Sequence, residues 1–298
     1  MIERREITDR QEWLAWRRHD ITASDIGALF GLSPYKSKLQ LWAEKTGQAV
    51  EPHETPAMRR GRWLEPAVLE ALAERMPNAT IDRGTFYLRD PIRRLGGTPD
   101  AMADWRVVEC KVISRPVFDG WNGELPLAYR LQALVNAMLL DAQGAIVAVM
   151  AIDTYDATLE LFHVERHADA EAKIIAAVDQ FWMDVEAGKM PPADYALDGE
   201  LIAKLYKPKD AIEPIDLTGD NRLTELLIER EALNATMKAA EERNGAIKTE
   251  ITEKLGGAPA AICADWRITH KLQHRKETIL PATDFTVLRI TRKREAAA

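Results

Sequence analysis

Several features that mark other classes of protein are scarce in this 298-residue sequence. Only Cys110 and Cys263 are present, which is too few for a disulfide framework or a cysteine-based zinc cluster. No run of 18 apolar residues occurs, so the sequence predicts no membrane-spanning helix. The first residues, MIERREITDRQEW, are charged and contain no apolar signal region. We therefore expect a cytoplasmic protein that is not exported.

An overall excess of positive charge is also absent, because the formal net charge is −7 at pH 7. This balance argues against a protein that coats nucleic acid indiscriminately. The charge is nevertheless uneven: residues 266–294 carry eight Lys or Arg and two Asp or Glu, which leaves about −13 for the rest of the chain. Arginines also cluster in RRH (17–19) and MRRGR (58–62). Any contact with nucleic acid should therefore be local, along a basic path through an acidic body.

The sequence does have the composition of a globular protein, with 46% hydrophobic and 29% charged residues. Its hydrophobic patterns predict an α/β order of elements. Helices are predicted at 9–18, 22–31, 37–47, 56–76, 126–140 and 169–187, and strands at 79–89, 95–102, 106–113, 145–153 and 158–165. Helices and strands that alternate in this way favour a sheet covered by helices.

A proline-marked break, KMPPADY at 189–195, predicts a domain boundary. We assign residues 1–195 to a first domain and residues 196–298 to a C-terminal extension. Apolar residues in 220–256 recur near heptad spacing, but Arg230 and Asn244 interrupt them. We therefore expect either a long helical arm or a helical hairpin that turns at Asn244. Residues 266–293 alternate like two basic strands.

The stretch GGTPDAMADWRVVECKV at 96–112 concentrates charged residues in two short strand-like runs. If DW at 104–105 forms a two-residue turn, Asp100 faces Glu109 across an antiparallel pair. Opposed residues have Cβ atoms ~5 Å apart, so two carboxylates placed there repel each other. Glu109 and Lys111 are two residues apart and share a face. Such acids require a shared proton or a cation; a surface salt bridge of Glu109 with Lys111 is the competing interpretation.

A third acid, Glu65, heads a helical stripe with Leu69, Leu72 and Met76. Because the apolar face of a helix points inward, Glu65 should begin on the buried side. Buried acids are rare unless they are paired or bound to a metal, and carboxylate oxygens suit Mg²⁺ or Mn²⁺. An ammonium group beside such an ion can orient or deprotonate a water that attacks phosphorus, so Lys111 completes the chemistry of phosphodiester cleavage.

The order of LE (64–65), GGTPDAMAD, VECK and AYRLQALVNAMLL resembles that of the PD-(D/E)XK nuclease superfamily. The opening WRRHDITASDIGALFGLSPYKSKLQLWAEKTG is similar to that of the YqaJ-like viral recombinases, relatives of the lambda-type phage exonuclease. The resemblance covers about residues 10–190. It implies a restriction-endonuclease-like core, with a central mixed sheet flanked by helices. A C-terminal helical arm and a short β extension would follow that core.

The resemblance also implies the residues of a metal site. The acids matching Asp100 and Glu109 bind Mg²⁺ in this family, together with the main-chain carbonyl at the position of Cys110. The residue matching Glu65 supports the metal site, and Lys111 acts on the water. Mn²⁺ is expected to substitute for Mg²⁺.

Four further positions match family residues that contact DNA. Gln132 corresponds to a glutamine close to the attacked phosphate. Arg17 and Ser24 correspond to residues that hold a terminal 5′-phosphate, and a guanidinium beside a hydroxyl at a helix N-terminus is a sensible anion pocket. Thr98 keeps a hydroxyl where the lambda-type enzyme has a serine. Leu134 stands where the family commonly has a second glutamine, so the chain departs from the family at one position that contacts DNA.

The activity that the resemblance implies is a magnesium-dependent 5′-to-3′ exonuclease on linear double-stranded DNA. Its products are 3′ single-stranded overhangs for phage-type homologous recombination in the bacterial host cytoplasm. The implied partners are linear DNA ends, a single-strand annealing protein and further copies of the chain in a ring trimer. The alternatives are an endonuclease or Cas4-like nuclease with the same motif, and a non-catalytic DNA-end-binding module.

Overall fold

Most elements of the first part of the chain fall where the sequence predicts them. The computed structural model describes residues 1–49, 54–84, 86–208, 213–275 and 287–291. The chain begins with β1 (Glu3–Glu6), α1 (Arg10–His19), β2 (Ile21–Thr22), a 3-10 turn (Ala23–Asp25), α2 (Ile26–Leu29), α3 (Lys38–Lys45), α4 (Pro56–Arg75), β3 (Ile81–Arg83), β4 (Phe86–Asp90) and β5 (Leu95–Gly97). It continues with β6 (Ala101–Ala103), β7 (Arg106–Ser114), α5 (Arg115–Asp119), α6 (Leu127–Leu140), β8 (Gly144–Ile152), β9 (Ala157–Glu165), α7 (Ala168–Glu186) and α8 (Gly199–Leu205). Five of the six predicted helices are confirmed; the helix predicted at 22–31 is instead the 3-10 turn followed by the four-residue α2.

Five strands form the central sheet in the order β3-β6-β7-β8-β9. The long strands β7 and β8 run parallel, from Arg106 opposite Gly144 to Ser114 opposite Ile152. The other neighbours are antiparallel, so the sheet is mixed. Nearly every residue of β8 is buried, as expected for a strand that is covered on both faces.

Separate apolar clusters cover the two faces of this sheet. On one face, Val147 and Val149 of β8 belong to the large core, which includes residues of α2, α3, α6 and α7. On the other face, Ile146 and Ala148 belong to a smaller cluster with Val68, Leu69 and Leu72 of α4. The alternation along β8 therefore places helices on both sides, and the predicted architecture of a mixed sheet flanked by helices is confirmed.

Two of the predicted strand runs are divided between two sheets. The runs 79–89 and 95–102 each supply one strand to the central sheet and one to a four-stranded sheet with the order β1-β4-β5-β2. The chain segments approach closely where they cross. A Cβ atom on Gly84 would lie 2.1 Å from the carbonyl oxygen of Pro99, so only glycine fits at this position. The sequence pattern predicts neither β1 nor β2.

The register predicted for the β6–β7 hairpin is confirmed. Ala103 pairs with Arg106 and Ala101 with Val108, which leaves the dipeptide 104–105 as the turn. Asp104 has a φ of 51°, a left-handed conformation that Asp tolerates and that two-residue hairpin turns require. Beyond the ladder, the backbone N–H of Asp100 donates to the carbonyl of Val108 at 3.2 Å. Asp100 therefore stays beside β7.

The chain divides into two units, Met1–Tyr206 and Lys207–Ala298. The residues that follow the proline-marked break still belong to the first unit. Asp198 is fully buried and accepts a hydrogen bond of 2.5 Å from the hydroxyl of Ser37. The amide of Gln40 donates to the carbonyl of Leu197 at 2.8 Å. Because these bonds attach 197–198 to α3, the division falls after Tyr206 rather than at residue 195.

The second unit contains α9 (Asn221–Leu255), β10 (Ala260–Cys263) and β11 (Trp266–Thr269). α9 is one continuous helix through Asn244 and Gly245, so the long helical arm is confirmed and the helical hairpin is wrong. A single glycine costs a helix only ~1 kcal/mol relative to alanine, and the surrounding residues of α9 are rich in Ala, Glu, Lys and Leu, which are good helix formers. No side chain of α9 is buried within the described part of the unit.

The short β extension is an antiparallel hairpin in which Cys263 pairs with Trp266. β11 begins at Trp266, where the sequence predicts a strand. Its pairing partner is β10, which comes before it in the chain, whereas the sequence predicts a second strand after it. Residues 287–291 form no strand, and residues 276–286 and 292–298 of the basic stretch lie outside the described residues. Among the helices of the described residues, none has the length and apolarity that a bilayer crossing requires.

Candidate active site

The β6–β7 hairpin brings Asp100 and Glu109 together. The backbone N–H of Cys110 donates to Asp100 Oδ2 at 2.7 Å, and the backbone N–H of Gly84 donates to the Asp100 carbonyl at 2.9 Å. Burial and the neighbouring charge of Glu109 raise the pKa of the Asp100 carboxyl well above its ordinary value, with Lys111 opposing them. The two acids therefore interact electrostatically, as their opposed positions predict.

Both oxygens of the Glu109 carboxylate receive hydrogen bonds. Lys111 Nζ donates to Oε1 at 2.7 Å, and the amide of Gln132 donates to the same oxygen. The amide of Asn136 donates to Oε2 at 3.2 Å. Glu109 is 3% exposed, so this charged group is buried and is no surface salt bridge. Three side chains thus hold the orientation of the carboxylate.

Lys111 is held as a cation inside this network. Its Nζ also donates to Gln132 Oε1 at 3.2 Å, and it lies 5.1 Å from the ring centroid of Tyr129. Burial by itself would lower the pKa of the Lys111 ammonium, but Glu109 and Asp100 raise it above its ordinary value. The amine therefore carries its proton at neutral pH.

α6 supplies one face to the site. Tyr129, Gln132 and Asn136 are spaced three and four residues apart and so lie on the same side of the helix. Sequence reasoning finds Gln132 but misses Asn136. Asn136 is fully buried, although asparagine is mostly exposed in proteins. A polar residue four positions after Gln132 in an apolar helix is the signal that identifies it.

Glu65, on α4, lies close enough to Glu109 and Lys111 to interact with their charges. It is half-buried, and the stripe predicted from its spacing is confirmed by the burial of Leu69 and Leu72. Burial raises the pKa of the Glu65 carboxyl, and the charge of Glu109 adds to this increase while Arg83 opposes it. Three acids thus influence one another electrostatically.

A cleft of about 620 Å³ gathers most of the predicted site residues. Its lining includes Arg17, Ser24, Glu65, Thr98, Asp100, Glu109 and Gln132. Cys110 and Lys111 do not line it; they contact the lining acids by the hydrogen bonds described above. Residues from α1, the 3-10 turn, α4, the β6–β7 hairpin and α6 therefore share one cavity.

One end of this cleft is built by α1 and the 3-10 turn. The guanidinium of Arg17 donates to Ser24 Oγ at 3.2 Å and lies 4.7 Å from the ring centroid of Trp13. The indole N–H of Trp13 donates to Thr98 Oγ1 at 3.1 Å. A cation, two hydroxyl groups and an aromatic ring therefore meet at the cleft wall. The guanidinium and the hydroxyls can bind an anion, and the indole ring can contact an apolar group beside it.

The donor set is compatible with a hard divalent cation. No group of three or more His, Cys, Asp and Glu side chains converges as a metal cluster in the described ranges. Nevertheless, burial raises the pKa of the Asp100 and Glu65 carboxyls, and the charge of Glu109 adds to both increases. Mutual destabilisation of ionised carboxylates is what a cation relieves, and oxygen ligands are those that Mg²⁺ prefers. The residues therefore fit the group that the sequence implies.

Known proteins resemble this chain in sequence and in fold. It is 27% identical over 283 residues to the uncharacterized protein YqaJ of Bacillus subtilis (strain 168), which covers 90% of this chain and 86% of that protein. The crystal structure of an alkaline exonuclease, LHK-Exo from Laribacter hongkongensis, matches with a TM-score of 0.51 at 20% identity and covers 65% of this chain and 99% of that one. Its complex with dAMP matches equally well.

This structural likeness confirms the fold. Residues 12–143 also match the family model of the YqaJ-like viral recombinase domain. That range spans α1, the 3-10 turn, α4, the β6–β7 hairpin and α6, and so contains every predicted site residue. The resemblance to the YqaJ-like viral recombinases that the sequence shows is thus confirmed over residues 12–143.

Proposed function

We propose that this chain is a magnesium-dependent exonuclease that digests one strand of linear duplex DNA from its 5′ end. The product is a 3′ single-stranded overhang for phage-type homologous recombination. One observation carries the proposal: the same cleft is lined by the mutually repelling acids Asp100 and Glu109 and by the hydrogen-bonded Arg17 and Ser24. The viral recombinase family and the alkaline exonuclease with the same fold support it.

The acids are assigned to the metal. Asp100, Glu109 and the main-chain carbonyl of Cys110 would hold Mg²⁺, with Glu65 in support. The ion, when bound, supplies a Lewis acid that stabilises negative charge on the phosphate, and Mn²⁺ should substitute for it. The three hydrogen bonds to Glu109 keep its carboxylate in one orientation, which reduces the cost of forming the site.

Lys111 is assigned to the attacking water. Because its neighbours keep the ammonium protonated, it acts as a hydrogen-bond donor and a positive charge rather than as the base. It can orient the water and offset the charge that develops on the phosphate oxygens. Gln132 is hydrogen-bonded to both Lys111 and Glu109, so it connects the residue assigned to the water with a residue assigned to the metal.

The end of the DNA is assigned to the part of the cleft that α1 and the 3-10 turn supply. Arg17 and Ser24 would bind a terminal 5′-phosphate, with Thr98 as a neighbouring hydroxyl. A guanidinium and a hydroxyl supply charge-assisted hydrogen bonds to phosphate oxygens. Binding of the terminal 5′-phosphate by Arg17 and Ser24 would make digestion start at a DNA end and proceed from 5′ to 3′.

Linear duplex ends, an annealing protein that receives the overhang and further copies of the chain in a ring trimer are the proposed partners. Residues 1–195 contain all of the proposed site residues, and we assign the unit Met1–Tyr206, which includes them, to the nuclease. We assign residues 207–298 to contacts with the DNA backbone or to an interface between copies. The excess of basic residues in 266–294 supports this role.

The test is cleavage by the full-length protein with Mg²⁺ on three substrates: linear duplex with a 5′-phosphate, the same duplex with a 5′-hydroxyl, and closed circular DNA. We expect the fastest digestion on phosphorylated ends and none on circles. Glu109→Gln, which keeps the shape of the side chain, is the matched inactive control. Cutting of circles would replace the proposal with an endonuclease, and binding of ends without any cleavage would replace it with a non-catalytic module.

A further inference from the structure

A buried charge cluster adjoins the pair of Arg17 and Ser24, and Asp25 is its centre. Asp25 is 2% exposed. Its Oδ2 accepts from the backbone N–H of Thr22 at 3.1 Å, from the Thr22 hydroxyl at 2.8 Å and from Lys45 Nζ at 2.9 Å. Its Oδ1 accepts from Lys36 Nζ at 3.3 Å. One carboxylate thus gathers donors from β2, from α3 and from the segment that precedes α3.

These bonds connect Asp25 to both members of the pair. On one side, the hydroxyl of Thr22 lies 3.0 Å from Ser24 Oγ, which accepts from the Arg17 guanidinium. On the other side, Lys45 Nζ donates to the main-chain carbonyl of Arg17 at 2.8 Å. Ser24 is therefore connected to Asp25 through Thr22, and Arg17 is connected to Asp25 through Lys45.

The protonation of Asp25 decides how the hydroxyls point. Burial alone would raise the pKa of the Asp25 carboxyl, but Lys45, Lys36 and Arg17 hold it below its ordinary value. An ionised carboxylate only accepts hydrogen bonds, so the Thr22 hydroxyl donates to it. The hydroxyl of Ser24 then has its proton available for Thr22 or for an incoming anion, while its oxygen accepts from Arg17.

The bonds between Thr22 and Asp25 form a capping box that stabilises the start of the 3-10 turn, but the two lysines that bind Asp25 are not part of such a box. Replacing a buried ion pair with apolar side chains is often neutral or stabilising, so such pairs are weak devices for stability. The donors around Asp25 instead link the last turn of α1, which carries Arg17, to the 3-10 turn, which carries Ser24. The effect is to set the separation of a guanidinium and a hydroxyl that face one cleft.

We propose that Asp25 is a positioning residue of the 5′-phosphate pocket, acting through Thr22 on Ser24 and through Lys45 on the end of α1. The inference rests on the proposed function, because it assumes that Arg17 and Ser24 bind the terminal phosphate. Asp25 does not touch the DNA. It determines how strongly a phosphorylated end is preferred over a hydroxyl end.

The test is steady-state digestion by full-length Asp25→Asn on linear duplexes that differ only in a 5′-phosphate or a 5′-hydroxyl. KM for phosphorylated ends should rise about tenfold, the effect of one weakened charge-assisted contact. KM for hydroxyl ends and kcat for both should stay at wild-type values. Glu44→Gln is the matched control, since Glu44 pairs with Lys36 at 2.7 Å in the same cluster and takes no part in the two chains of hydrogen bonds that connect Asp25 to Arg17 and Ser24. It should keep the wild-type preference.

Lys45→Met is the second variant, which keeps the test decisive if Asp25→Asn does not fold. It removes the bond to the Arg17 carbonyl and should also reduce the preference for phosphate. An unchanged preference in folded Asp25→Asn and Lys45→Met overturns the inference, as does an equal loss on both kinds of end. A wild-type protein without any preference overturns the 5′-phosphate pocket itself, and the role of Asp25 with it.

Discussion

Replacing Asp100 with asparagine should stabilise the metal-free protein and abolish cleavage. Asp100→Asn keeps the shape of the side chain and an oxygen for the Cys110 N–H, which donates to it at 2.7 Å. It removes one of two mutually repelling charges. Two like charges ~5 Å apart repel by about 3 kcal/mol at an effective dielectric constant of ~20. The positive charge of Lys111 offsets part of this repulsion. We therefore expect the free energy of unfolding of Asp100→Asn to exceed that of the wild-type protein by roughly 1–2 kcal/mol at pH 8.

The pH dependence follows from the raised pKa of the Asp100 carboxyl. When the pKa of an acid is higher in the folded than in the unfolded state, ionisation costs the folded protein stability. The penalty appears as pH rises above the unfolded value of ~3.9 and reaches its full size above the folded value. The variant and the wild-type protein should therefore be equally stable near pH 4, and the variant should be more stable at neutral and alkaline pH.

Urea unfolding in EDTA at several pH values measures this difference. Asp82→Asn, a change at an exposed acid on the neighbouring strand β3, is the matched control and should change little. Addition of Mg²⁺ should stabilise the wild-type protein and not Asp100→Asn. A variant that is less stable than wild type at pH 8 without metal would refute the repulsion argument. Near-normal cleavage by the variant would refute the metal assignment.

Three further predictions concern the lysine, the DNA end and the extension. Lys111→Ala should lower kcat by roughly two to three orders of magnitude without weakening Mg²⁺ binding, which single-turnover rates and calorimetry measure together. Arg17→Ala should remove most of the preference for a 5′-phosphate, in competition between phosphorylated and hydroxyl duplexes. Truncation after Tyr206 should keep cleavage, whereas truncation after Tyr195 should lower the melting temperature because the buried Asp198 is lost. Equal melting of the two truncated proteins would contradict this.

The parts of the site that depend on local pattern could be predicted from the sequence. The turn at Asp104 and the alternation around it determine the hairpin register, and with it the approach of Asp100 to Glu109. Helical spacing places Glu65 on the buried side of α4 in the same way. Both inferences need only neighbours in the chain, so periodicity suffices for them.

Contacts between distant segments could not be predicted. The strands β1 and β2 are short and acquire their pairing from β4 and β5, which lie more than sixty residues away in the chain. Asn136 becomes part of the site only because α6 packs against β7. The network around Asp25 depends on the contact of Asp25 with Lys45 of α3, and neither helical nor strand spacing specifies that contact. Such contacts arise from tertiary packing, for which a single sequence has no periodic signal.

The direction of digestion tests the central claim most directly. Full-length protein and Mg²⁺ are mixed with a linear duplex that has phosphorylated 5′ ends and a label at either the 5′ or the 3′ end of one strand. We expect the 5′ label to be released at once, while the 3′ label stays on a long single strand until late in the reaction. Early release of the 3′ label, or release of both labels at the same rate, would contradict the account.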